Sequence, residues 1–170
     1  MSTTKIFAFR WRGENVSTIE VESVISNVLK QQDTIVYGVQ VPGVEGRAGM
    51  AAIVQPEGGI DLNWFLSAIK NQLPSYAMPI FIRMVKELDI TGKSPDNSDL
   101  IYLVSLSAIL ALYILPILGT FKLKKLALQK EGYDPNLIDD KMFFYNKSEG
   151  AYQPLDIQLY NEVMQMRCNL

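Results

Sequence analysis

Residues 17–41, STIEVESVISNVLKQQDTIVYGVQV, hold the pattern from which the fold is read. Ser17 stands three residues ahead of Glu20, the spacing at which a cap residue and an acid satisfy each other's free backbone N–H groups. Val21, Val24, Ile25, Val28 and Leu29 then recur at helical spacing, so one face of the helix is apolar. From Thr34 to Val41 the texture turns β-branched and strand-like. Working outward, Phe7 to Trp11 reads as a short aromatic strand, and Gly13-Glu14-Asn15 as a turn leading to the helix. On the other side, Pro42 to Gly46 reads as a loop and Arg47 to Gln55 as a further strand. Asp61 is placed to cap a helix with the stripe Leu62, Phe65, Leu66, Ile69 and Leu73, stopped by Pro74. Pro79 to Val85 is a third run of strand character. The order β-α-β-β-α-β predicts an α+β domain, a small open sheet with flanking helices on one side.

The texture then breaks. Lys93 to Asp99 is polar, and Leu100 to Leu118 is a run of 19 uncharged, mostly aliphatic residues. As a helix rising about 1.5 Å per residue, it would come close to the roughly 30 Å of a bilayer's hydrocarbon core. Lys122, Lys124 and Lys125 follow. After them a soluble texture returns, with a turn at Tyr133-Asp134-Pro135, an apolar run from Met142 to Tyr145, and Leu155, Leu159, Val163 and Met166 spacing a final helix. The expectation is one domain in two parts, 1–92 and 120–170, interrupted at 93–119 by a long hydrophobic helix.

Composition narrows the chemistry. The chain has 170 residues, a net charge of -2 and no histidine. Serine and cysteine nucleophiles activated by histidine are thereby excluded, and the commonest zinc ligand is absent. No metal site is expected. The charge balance gives no general reason to bind nucleic acid. Cys168, the single cysteine, cannot form an internal disulfide, which favours a reducing compartment. Met1 to Arg12 lacks the apolar core of a signal peptide. Gly92-Lys93-Ser94 ends like a phosphate-binding P-loop, but Glu87 stands where that motif needs its first glycine, so the P-loop is rejected. Arg10 and Arg12 flank Trp11 ahead of Gly13. Two guanidinium groups beside a glycine turn suit phosphate or carboxylate, but on the residues alone a solvated strand with one buried aromatic is the favoured reading.

Several ordered blocks resemble one family. Phe9-Arg10-Trp11-Arg12-Gly13-Glu14-Asn15-Val16-Ser17-Thr18 is similar to the opening of the C-terminal domain of fatty acid transport proteins. These are also known as very-long-chain acyl-CoA synthetases and belong to the adenylate-forming, AMP-binding superfamily. Tyr37-Gly38-Val39, Glu45 to Ala52, Leu73 to Phe81, Thr120-Phe121-Lys122 and Glu131 to Pro135 resemble later blocks. The resemblance implies the C-terminal lid domain of a fatty acid–CoA ligase, working on a fatty acid with ATP, Mg2+ and coenzyme A. It implies an N-terminal adenylating domain as partner, here missing, so that the chain alone is expected to be inactive and to bind none of these tightly. It carries Lys122 over as the adenylation lysine, with Lys93 as the alternative. Arg10, Arg12 and Gly13 match the loop that faces the active site and coenzyme A during thioester formation. Association with a membrane at its cytosolic face is expected.

In that family Gly92 should run almost directly into Thr120. Residues 93–119 admit three readings: a membrane span, a hydrophobic cover for the domain, or a translated intron. Gly92-Lys93-Ser94 can be encoded with GTAAGT, a usual splice donor, and Ile117-Leu118-Gly119 with a pyrimidine-rich stretch ending in AG. The intron is the favoured reading, and a single-span membrane protein with a non-catalytic interaction domain is the alternative.

Overall fold

The computed structural model describes residues 7–88 and 124–167. Strands β1 (Ala8–Trp11) and β2 (Glu14–Ser17) form a hairpin that leads into α1 (Thr18–Val28). Next come β3 (Thr34–Val39), β4 (Ala48–Val54), α2 (Leu62–Lys70) and β5 (Phe81–Val85). Beyond the undescribed stretch follow a helix over residues 124–131, here α3, then β6 (Lys141–Asn146), β7 (Ala151–Pro154) and α4 (Ile157–Met164).

The caps read from sequence are in place. Ser17 accepts a hydrogen bond from the Glu20 N–H, and Asp61 accepts from Asn63 and Trp64. Each satisfies backbone donors that the first helical turn leaves over. The turn at the front differs from the expectation. Arg12 and Gly13 are its two central residues, with φ of 49° and 91°, the positive pair that a tight two-residue hairpin loop requires. Glu14-Asn15-Val16-Ser17 is therefore a strand, not a turn. Val16, 1% exposed, pairs with Phe9 and gives the polar segment its buried side.

The main sheet runs β3-β4-β5-β6-β7, with β4 and β5 parallel and every other pairing antiparallel. Two of its five strands thus come from the far side of residues 89–123. Phe81 pairs with Phe144, and Ile82 with Phe143. The sheet is covered on both faces, which corrects the one-sided arrangement. Tyr133 stacks on Phe81 at 4.3 Å, while Phe65 of α2 lies 6.4 Å from Tyr152, whose pairing with Tyr145 puts it on the opposite face. Strands buried on both sides explain the nearly continuous apolar runs of β3, β4 and β5. Phe65, Phe81, Ile35, Ile53, Ile69 and Ile82 are fully buried, each contributing roughly 1.5–3 kcal/mol of transfer free energy.

Among the described residues no helix is long and apolar enough to cross a membrane. The hydrophobic helix expected across residues 100–118 lies outside them.

Candidate functional site

The hairpin holds one set of candidate residues. On β1 the side chains alternate, with Phe9 and Trp11 buried and Arg10 exposed. Arg12, also exposed, lies with its guanidinium 5.3 Å from the centre of the Trp11 ring. Arg10, Arg12 and Gly13 therefore gather at one exposed hairpin tip. A Cβ on Gly13 would meet nothing within 4 Å, so space in front of the tip is open. The hairpin is pinned to the main sheet behind the tip. The Arg47 N–H donates to the Arg10 carbonyl at 2.7 Å, and Trp11 bridges to Gly46. At its base the Thr18 N–H donates to the Phe7 carbonyl at 2.9 Å.

Lys122 and Lys93, the two lysine candidates, lie outside the described residues. What the structure gives is the setting of the helix that begins just after Lys122. Lys125 on α3 is buried, and its Nζ donates to Glu22 Oε1 at 2.8 Å and to Thr18 Oγ1 at 2.7 Å. The same Glu22 oxygen accepts from the Val36 N–H at 2.7 Å. One helical turn on, Gln129 donates through Nε2 to the Gly38 carbonyl at 2.6 Å. Val36 and Gly38 lie on β3, which is an edge strand, and alternate residues of such a strand turn their N–H and C=O outward together. Glu22 of α1 and Gln129 of α3 thus occupy two of that edge's outward backbone groups, which makes it a poorer template for a further strand. Burial pushes the Glu22 carboxyl up from its ordinary range and the Lys125 ammonium down, and their mutual attraction pulls each part of the way back.

A second ion cluster joins the same two parts of the chain. Arg83 on β5 donates through Nη1 to Glu131 Oε2 at 2.5 Å and through Nε to Asp140 Oδ2 at 2.7 Å. The Tyr37 hydroxyl is buried near Arg83 without a hydrogen bond, and burial pushes its phenol well above the usual range. A cavity of about 330 Å³ lies alongside, lined by Arg83, Lys86, Leu88, Lys124, Leu128 and Glu131 among others. The chain thus leaves the described structure at Leu88 and re-enters at Lys124 beside one cavity.

Sequence reasoning missed Glu22, Gln129 and Arg83, and gave Lys125 no buried partner. One signal was available. Thr18, Glu22, Ile25 and Leu29 lie on one helical face, and an acid within an apolar stripe calls for a buried partner.

Residues 20–94 match the sequence model of the AMP-binding enzyme C-terminal domain. Over 155 residues, 91% of its length, the chain is 43% identical to long-chain fatty acid transport protein 1 of Mus musculus. Both matches point the same way: over residues 20–94 the chain is similar to the AMP-binding enzyme C-terminal domain. It is also 36% identical over 157 residues to long-chain fatty acid transport protein 6 of the same organism. It spans 20% and 21% of the lengths of these two relatives. Among solved structures, a mutant form of coronafacic acid ligase from Pectobacterium brasiliense aligns over 58% of this chain and 20% of that one, at 18% identity and a TM-score of 0.46.

Proposed function

We propose that this chain is the mobile lid of an ATP-dependent long-chain fatty acid–CoA ligase, a domain that presents different residues to two successive reactions. In the first, a fatty acid carboxylate oxygen attacks the α-phosphorus of ATP, giving acyl-adenylate and pyrophosphate. In the second, the thiol of coenzyme A attacks the acyl carbonyl, its proton is lost, and AMP leaves.

Lys122 is assigned to the first step. An ammonium group there offsets negative charge on the reacting phosphate and carboxylate oxygens, the electrostatic help such a transfer needs. Arg10, Arg12 and Gly13 are assigned to the second step, lining the approach of coenzyme A. Its phosphates suit guanidinium groups, and its pantetheine arm can pass close to a glycine. ATP, its Mg2+ and the acyl chain fall to the N-terminal adenylating domain. The reading places the protein at the cytosolic face of a membrane.

The observation that supports this reading is the placement of the hairpin tip relative to the start of α3. The Lys125 Nζ lies 5.5 Å from the Phe7 ring at the base of the hairpin, and Arg12 stands at its tip. The four residues of β1 lie between Phe7 and Arg12, five steps of roughly 3.3 Å or about 17 Å. The start of α3 at one end of the hairpin strand and the exposed loop at the other suit a domain that turns different ends to one reaction centre in succession. Lid motions on this scale are a known way of gating chemistry.

For residues 93–119 the translated intron remains our reading, since their removal joins Gly92 to Thr120-Phe121-Lys122. The pairing of β5 with β6 and of Glu22 with Lys125 weighs against a single membrane span. Such a span would put the flanks of one folded body on opposite sides of a bilayer. Transcript sequence across codons 92–120 tests this directly.

Acyl-CoA synthesis tests the lid reading. The chain alone is expected to show none. Added to the adenylating domain of the mouse relative, stripped of its own C-terminal domain, it is expected to restore ATP-dependent acyl-CoA formation, and K122A to lose adenylate formation. Robust turnover by the chain alone, or no restoration in the mixture, contradicts the reading.

A further inference from the structure

The Arg10–Gly13 tip rests on backbone that carries almost no side chains. Gly38 on β3 and Gly49 on β4 are direct cross-strand partners. A Cβ on Gly38 would stand 2.8 Å from the Phe9 Cβ and 2.9 Å from the Arg47 Cβ. A Cβ on Gly49 would stand 3.0 Å from the Phe9 Cζ. At the end of this floor comes Gly46, where a Cβ would meet the Arg10 carbonyl oxygen at 2.2 Å. The next residue, Arg47, donates its N–H to that same oxygen, and its Nη1 returns to the Gly38 carbonyl at 3.3 Å. Three glycines thus lie under the hairpin strand that leads to the tip, and each meets it through Phe9 or the Arg10 backbone.

The Phe9 contacts have different consequences. A Cβ is fixed to its backbone, so an obstacle at the Phe9 Cβ moves the strand itself. The Cζ is the far end of a ring and has more room to give. Graded obstacles in the floor should therefore move the tip by graded amounts, with Arg47, just ahead of β4, also giving way to a Cβ on Gly38.

We infer that Gly38, Gly46 and Gly49 form a bare floor that sets the height and tilt of the Arg10–Gly13 loop, and that Phe9 is the positioning residue seated on it. The meaning of this for thioester formation rests on the lid reading above. The positioning itself does not.

The chain supplies its own reporter. Trp11 is buried two residues beyond Phe9, whereas Trp64, the other tryptophan, is 52% exposed on α2. In a W64F background, fluorescence reports Trp11 alone. G38A is expected to shift Trp11 emission to longer wavelength and to raise its quenching by acrylamide about twofold, with secondary structure kept. G49A, the milder obstacle, should give a smaller shift, and adding F9L, which removes the Cζ, should reverse it. Should G38A fail to fold, the G49A and F9L/G49A pair still decides the matter. A folded G49A chain with unmoved Trp11 fluorescence, or a shift that F9L leaves in place, overturns the inference.

In the mixture with the adenylating domain, G49A is expected to slow transfer to coenzyme A several-fold and to leave ATP–pyrophosphate exchange unchanged. Equal slowing of both steps, or of neither, overturns the role in thioester formation. If the unmodified chain restores no activity, the lid reading fails, and Trp11 fluorescence alone still decides the positioning.

Discussion

The hairpin tip and the Lys125 cluster sit at the two ends of β1 and are built on opposite principles. At the tip, exposed Arg10 and Arg12 are held by a local turn and a few backbone hydrogen bonds. At the base, Lys125 is buried against Glu22, a partner 103 positions away in the chain. The tip stabilises little and is open to a ligand. The base is closed to ligands, and the packing of the two halves depends on it. On the proposed lid reading, a domain that moves as a rigid body while presenting chemistry at its surface needs both.

The largest effect should come at the base. K125A leaves the Glu22 carboxylate buried without its cation, at a cost of about 3–5 kcal/mol. Chemical denaturation measures it, and E22Q in the same background should recover part of the loss by keeping an acceptor for the Val36 N–H. Next comes R83L, which removes charged hydrogen bonds to Asp140 and Glu131 worth about 1.5–3 kcal/mol together, the lower end being expected because Glu131 is 47% exposed. A loss from R83L larger than that from K125A would reverse the ranking of the two clusters.

Deleting residues 93–119 shortens the connection between Leu88 and Lys124 from 35 residues to 8. Treated as a flexible loop, this lowers the closure entropy cost and stabilises the domain by about 1 kcal/mol. A large destabilisation would show that the deleted residues support the fold. At the tip, R12A should change stability by less than about 1 kcal/mol, the scale of an exposed cation–π contact. The same variant should slow transfer to coenzyme A, and a stability loss rivalling K125A would erase the contrast.

A separate effect is alkaline and stands outside that ranking, because it shows only between about pH 10 and 12. Burial first, and Tyr160 second, push the Tyr133 phenol up to about 12 from its usual 10.0. Because the folded value is the higher one, the stabilisation is complete below pH 10 and is lost as pH rises toward 12. Y133F should remove that share of the pH dependence from the unfolding midpoint.

Elements whose signals are local were legible in the sequence. Ser17 and Asp61 announce their helices, and the apolar runs of β3, β4 and β5 give their strands. Strand β2 was not, because Glu14-Asn15-Val16-Ser17 has one apolar residue, and its partner is fixed by where the turn falls. Strand β6 was visible only as an apolar run and β7 not at all, because their place depends on pairing across residues 89–123. The tip residues Arg10, Arg12 and Gly13 could be named from their motif. The Glu22, Lys125 and Gln129 contacts could not, since each is made between residues far apart in sequence.

Hydrogen exchange on the full chain, resolved to single amides, tests most directly whether residues 7–88 and 124–167 are one folded unit. The ladder amides of β5 and β6 should be equally protected and should lose protection together in K125A. Rapid exchange throughout 124–167, with 7–88 still protected, would show two independent pieces and would contradict the account.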